Sequence, residues 1–340
     1  MTKELRSTPA TGGSMHKEAD FVERCRQRGL DQTAIDYELG FLARLETWFS
    51  AAGFSMDKPD TSAAEAFLAD QVASGANGEQ AVRALARYFT ATGELALAIR
   101  FLAYLLPIGV LPDMGTRLGT LAGAAARDRV MEAFSVPAPG SPPEAYPEKT
   151  AAFVRALESE LGPERARQVL TWNVHGITAA AFADERERYL SLGSVDAWLA
   201  DYHARQVAVL QKHADEGTLW FEQRITQDVV AFVRSNQEIL AGVRHGNSVF
   251  ETKIPYDPDA YLKATDRLTR RRLACHCPLA VSGITEAGST VPAAWCACSA
   301  GYQKFRFDVV LAADTEARVV ESVLDGADTC RFEIRLPAAC

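Results

Sequence analysis

From residue 17 to residue 134 apolar positions recur at steps of three and four, the period of amphipathic helices. In TAIDYELGFLARLETWFSAAG (33–53) the stripe is Ile35, Leu39, Leu42, Leu45 and Phe49, with Asp31 placed to cap its start and Gly53 to stop it. SAAEAFLADQVASG and GEQAVRALARYFTATG repeat the pattern, the first ending at Gly75. A second helical stretch covers 148–245. Gly162 closes one helix and Pro163 opens the next, Ser194 and Gly217 bound a long amphipathic helix, and Thr226 caps another. The pattern then changes. SVFETKIPYD (248–257) alternates as a half-buried strand does, and DPDAYLKATDRLTRRRL predicts a short helix with a basic end. Short strands are expected near 273–284 and 291–297, a helix from Ser299, and two final strands at 317–324 and 330–337 joined by the turn 325–328.

Residues 137–147 hold five of the fifteen prolines, so neither helix nor sheet continues there. The expected class is α+β. A disordered tail (1–16) precedes a helical N-terminal bundle (17–136), a proline-rich linker (137–147), a helical middle layer (148–246) and a C-terminal antiparallel α/β domain (247–340). The most apolar run, LALAIRFLAYLLPIGVL (95–111), contains Arg100 and Pro107 and is short for a membrane span. It reads as a buried helix, with a membrane-surface segment as the alternative.

A net charge of −8 argues against broad nucleic-acid binding, which needs a basic face. The polar start shows no export pattern, which predicts the cytoplasm, with no membrane and no nucleic acid as partner. The expected partner is a small molecule, and a homodimer stays open. In a reducing compartment clustered cysteines bind metal or do chemistry more often than they form structural disulfides.

Six of the seven cysteines follow residue 274, four of them in two Cys-x-Cys triplets, CHCPLA (275–280) and WCACSAGY (295–302). If 273–279 and 294–298 are neighbouring strands, the period of two turns Cys275, Cys277, Cys296 and Cys298 toward one point. Four thiolates suit zinc, and an iron–sulfur cluster uses the same set. A second reading, with no cofactor, is a reactive thiol. Cys298 would precede a helix capped by Ser299, with Lys304 and Arg306 nearby to lower its pKa and His276 as base. A third reading is core packing. Between 267 and 310, Arg267, Arg270, Arg271, Arg272, Lys304 and Arg306 face only Glu286 and Asp308, a patch able to hold a carboxylate or phosphate. Arg272, Lys304, Tyr302 and His203 are therefore candidate substrate-binding residues, His203 and His213 on one helix lining a pocket between helices with Trp198, Tyr202, Trp220 and Glu222. Asn173 and His175, just after a helix, are further polar candidates.

The tail CACSAGYQKFRFDVVLAADTEARVVESVLDGADTCRFEIRLP (296–337), with Glu321 and the close Gly326, Asp328, Cys330, Phe332 and Ile334, resembles the end of 4-vinyl-reductase-type ligand-binding domains. It is also similar to the end of 2-amino-thiazoline-4-carboxylate hydrolase-like proteins. IPYDPDAYL, CHCPLA and WCACSAG look like motifs of uncharacterised bacterial proteins with the same tail. The resemblance covers about 90 residues and implies an antiparallel sheet with helices and a pocket for a small, partly apolar molecule. It implies either a hydrolase-like enzyme acting on a small carboxylate-bearing substrate or a non-catalytic ligand, metal or redox sensor. The doubled Cys-x-Cys is not a regular feature of either named family.

Overall fold

The computed structural model describes residues 16–174 and 176–337; the expected tail before residue 16, His175 and Cys340 lie outside them. The chain divides into two compact units, one ending at Leu106 and including Ala138–Ser141, the other formed by Pro107–Pro137 and everything from Pro142 onward. The division therefore falls after Leu106 and not within the proline-rich stretch 137–147.

The first unit is helical: α1 (Glu18–Gln27), α2 (Gln32–Ala51), α3 (Thr61–Ala73), α4 (Gly78–Thr92) and α5 (Leu95–Leu105). Asp31, Asp60 and Asn77 accept the first-turn amides of Ala34, Ala63 and Gln80, which fixes where three of these helices begin. Their apolar stripes enclose Phe41, Phe67, Phe89 and Phe101. Pro139 is held against Gly78, where a Cβ would meet the Pro139 carbonyl oxygen at 1.9 Å. That contact returns 138–141 to this unit.

The second unit begins with α6 (Val110–Ala122), α7 (Ala124–Glu132), α8 (Pro147–Leu161) and α9 (Pro163–Leu170). Leu111, Met114 and Val130 share one core with Phe153, Leu157 and Val169, so the helices of 107–136 belong with the C-terminal part of the chain. The stretch Leu95–Ala122 is long and apolar enough by composition to cross a membrane. In the structure it is two helices, α5 and α6, and each sends its apolar face into the core of its own unit.

There follow α10 (Ala183–Leu192), α11 (Val195–Glu216), the small hairpin β1 (Leu219–Trp220) and β2 (Gln223–Arg224), α12 (Gln227–Arg234), β3 (Val243–His245) and β4 (Ser248–Thr252). The middle layer thus contains short strands that the helical reading of 148–246 did not foresee. After them come α13 (Pro258–Lys263), α14 (Arg267–Ala274), the hairpin β5 (Ile284–Thr285) and β6 (Gly288–Ser289), α15 (Ala297–Leu311), β7 (Glu316–Glu321) and β8 (Arg331–Arg335). The main sheet has the order β3-β4-β8-β7 and every pairing is antiparallel. The fold is α+β, with the antiparallel sheet in the C-terminal part.

The register of β4 on β8 sets Val249 opposite Ile334 and Glu251 opposite Phe332. Side chains directly opposite share a face, so these four line the side that packs with Phe307 and Val310 of α15. Glu251 is an acid in an apolar row, and Arg306 answers it from α15 at 2.8 Å while also donating to the carbonyls of Leu240 and Ala241. Ala312 ends α15 in a left-handed conformation.

Two expected strands are absent. The segment 273–284 is the end of α14, an irregular run and a tight turn at 281–283, and 291–297 becomes the turn Ala293–Cys296 leading into α15. Pro278 and Pro292 lack the amides that ladder pairing needs. The last helix starts at Ala297, with Cys296 at its N-terminal boundary rather than Ser299.

Gly301 lets α15 lie directly on the chain leaving α9: a Cβ there would meet the Trp172 backbone nitrogen at 2.1 Å and the Thr171 carbonyl carbon at 2.6 Å. Backbone cannot swing aside as a side chain can, so Gly301→Ala should cost about 3 kcal/mol or more, at or beyond the upper end for overpacking. Urea unfolding checks this, and a cost under about 1 kcal/mol would contradict the contact.

Candidate thiol centre

α14 ends at Ala274, and Cys275 follows as its C-terminal boundary in extended conformation. Arg271 and Arg272 hold this end of the helix. Arg271 donates to the carbonyls of Val323, Thr285 and Gly288, and Arg272 to that of Ile284. Arg272, expected to bind substrate, instead ties α14 to β5. The run Cys275–Cys277 then crosses the end of β4, where the His276 ring nitrogen Nε2 lies 2.6 Å from the Ile254 carbonyl oxygen. A carbonyl only accepts, so Nε2 carries the proton. The Tyr256 ring packs edge-on against His276 at 5.4 Å. Desolvation, with the Lys253 charge added, holds the imidazole well below its ordinary pKa, so it is neutral.

Cys296 and Cys298 do not share a side. On a helical path residues i and i+2 are about 200° apart. Cys296 faces Ser322, Sγ to Oγ at 3.1 Å, and its thiol interacts electrostatically with that of Cys330. Cys298 faces the Cys277 side. Cys277 accepts the indole N–H of Trp295 at 3.3 Å. Trp295 is itself fixed in the core against Phe153, at 6.2 Å and an interplanar angle of 89°. Cys275 interacts electrostatically with Cys277, Cys296 and Cys330. The two triplets therefore do meet, but through helix ends and loops rather than paired strands. Among the described residues, no group of three His, Cys, Asp or Glu side chains is arranged to hold a metal ion.

The thiols differ sharply in acidity. Burial pushes Cys298 up to about 12, despite its place in the first turn of α15. This reverses the expectation of a lowered pKa. The cations proposed to lower it are engaged elsewhere, Lys304 with Asp308 and Asp314 at 2.5 Å each and Arg306 with Glu251. Cys298 and His276 are thus a protonated thiol and a neutral ring whose Nε2–H is committed to a carbonyl. Cys275 and Cys277 are also raised by burial. Cys330 goes the other way: the neighbouring Cys296 thiol pulls it down to about 7, against burial, with help from the Val323 amide and Lys253. Its partner Cys296 is raised by the same interaction and by burial.

Cys330 and Lys253 were not among the sequence candidates. In CRFEIRL, Cys330, Phe332, Ile334 and Leu336 alternate onto one face, and that period was a usable signal for Cys330. The remaining candidates are bound up within the fold. His203 Nε2 is 2.9 Å from the Val233 carbonyl oxygen, His213 bonds Thr218, and Asn173 bonds the Ile177 backbone. Tyr302 is shifted upward by burial and lies in the field of Tyr202, Arg306 and Glu251. A separate basin of about 450 Å³ is lined by Arg267, Arg271, Glu286, Ser289, Leu324 and Asp325 among others, and by no cysteine.

No protein-family model, no curated protein and no solved structure matches the chain.

Near this centre Glu251 gives a pH signature. Burial pushes its carboxyl from 4.5 up to about 7, outweighing Arg306 and Lys253. A raised folded-state value means that the folded chain binds the proton more tightly, so the contribution is complete below 4.5 and is lost as pH rises through 7. Relative to Glu251→Gln, the wild type should lose stability between pH 5 and pH 8. Denaturant unfolding across that range checks the sign, and a wild type that gains stability relative to the variant would contradict it.

Proposed function

We propose that the protein is a thiol-based redox sensor whose reacting unit is the Cys296–Cys330 dithiol. The observation that carries this reading is the interaction of two thiols in one core, one on the turn before α15 and one at the entry to β8. The Ser322 hydroxyl lies 3.1 Å from the Cys296 sulfur, a contact in which either group can donate. Cys330 then has the lower pKa of the pair and is half-buried, the microenvironment of a reactive thiolate. The reading places the protein in the reducing cytoplasm, where the resting state is the dithiol.

The oxidant is a hydroperoxide. The Cys330 thiolate attacks one peroxide oxygen. An S–O bond forms, the O–O bond breaks, and the departing alkoxide takes up a proton as alcohol. The Cys296 sulfur then attacks the resulting sulfenic acid, forming the S–S bond and expelling hydroxide, which is protonated to water. Two thiols are oxidised and one peroxide is reduced, so the electrons balance. The product closes a loop of about 35 residues, for which the chain-entropy model gives about 3–4 kcal/mol of added stability.

Reduced, anaerobically purified protein treated with hydrogen peroxide should lose about two thiols. Peptide mapping should show Cys296 linked to Cys330, the apparent melting temperature should rise, and Cys330→Ser should abolish the link. Other cysteines linked instead, or about one equivalent of zinc or iron protecting the thiols in the purified protein, would overturn the reading.

A further inference from the structure

We infer that Lys253 is the counter-cation of the redox thiol, a positioning residue that holds Cys330 ready to react with its oxidant. The inference rests on the dithiol reading and adds the residue that activates it. Its basis is backbone register. Thr252 pairs with Arg331 at the end of β4 and β8, and the Lys253 amide donates to the Cys330 carbonyl at 2.9 Å, which extends the pairing by one residue. Lys253 and Cys330 are therefore directly opposite, and opposite residues project to the same face with Cβ atoms about 5 Å apart. That face is the one that carries Glu251 and Phe332 one step earlier.

The charges around this point single out Lys253. Glu251, the nearest acid on its own strand, is taken up by Arg306. Among the described residues, no hydrogen bond or ion pair engages the Lys253 ammonium. From α14 and the run after it the facing groups are Cys275, His276 and Cys277, and from α15 Cys298. The imidazole is neutral and the other thiols are protonated, so Lys253 supplies the fixed positive charge of the centre. Its field reaches Cys275, Cys277, Cys298 and Cys330 alike. Cys330 additionally has the Cys296 thiol and the Val323 amide beside it, which directs ionisation to that sulfur. An ammonium on the same face as a thiolate favours its charged form, by about one pKa unit where the two come within about 5 Å.

The test is the pH dependence of Cys330 alkylation by iodoacetamide, read on the Cys330 peptide by mass spectrometry in folded full-length protein. Lys253→Met should move the midpoint of the profile up by about one unit and slow the reaction at pH 7 about five-fold. Lys253→Arg should restore both, which a purely structural role of the lysine stem would not require. Lys253→Gln provides a second neutral variant should the Met variant fold poorly. A folded neutral variant with an unmoved midpoint would overturn the role of Lys253. That failure is separable from failure of the dithiol reading, which shows as wild-type protein that forms no Cys296–Cys330 link under peroxide.

Discussion

The C-terminal part of the molecule depends on the antiparallel pairing of β4 with β8. Its register turns Val249, Ile334 and Phe332 toward α15 and keeps Glu251 on the same face. A buried carboxylate is tolerable only when answered, and Arg306 answers it across the core. One step further along the same row the residues are Lys253 and Cys330. A slip of one residue would turn the whole row to the opposite face and remove the apolar contacts, the ion pair and the thiol environment together.

Around that strand end the chain delivers other sulfurs by different physical routes. Arg271 and Arg272 pin the end of α14 to carbonyls of the β5–β6 hairpin, so that Cys275 and Cys277 leave the helix in a fixed direction. The turn Ala293–Cys296 brings Trp295 into the core, where its indole nitrogen donates to Cys277 while Cys296 faces Cys330 and Ser322. Local hydrogen bonding separates their acidities. A thiol that only loses water becomes a weaker acid, as Cys298 does. A thiol beside a second thiol, a backbone amide and a cationic side chain becomes a stronger one, as Cys330 does.

Helix caps and apolar stripes were legible in the sequence: Asp31, Ser194 and Thr226 each accept the amide that their positions predict. The clustering of the two Cys-x-Cys triplets was legible too, but the geometry that joins them was not. Paired strands would have a period of two, whereas 293–298 is helical, and that rotation separates Cys296 from Cys298. Arg272, Lys304 and His203 looked available because a sequence does not show which carbonyls and carboxylates lie opposite. The domain division was missed for a related reason. Prolines mark a local break in regular structure, but a unit is defined by its shared core, and Leu111 and Met114 pack with Phe153 across the proline-rich stretch.

The central claim is that Cys296 and Cys330 behave as one two-electron couple. Equilibrating the protein in buffers of graded glutathione redox potential, with differential alkylation read separately for each cysteine, tests it most directly. The account predicts that Cys296 and Cys330 change together in a single two-electron transition, while Cys298 stays reduced throughout. Independent transitions for the two sulfurs, or a link of either one to Cys275, Cys277 or Cys298, would contradict it.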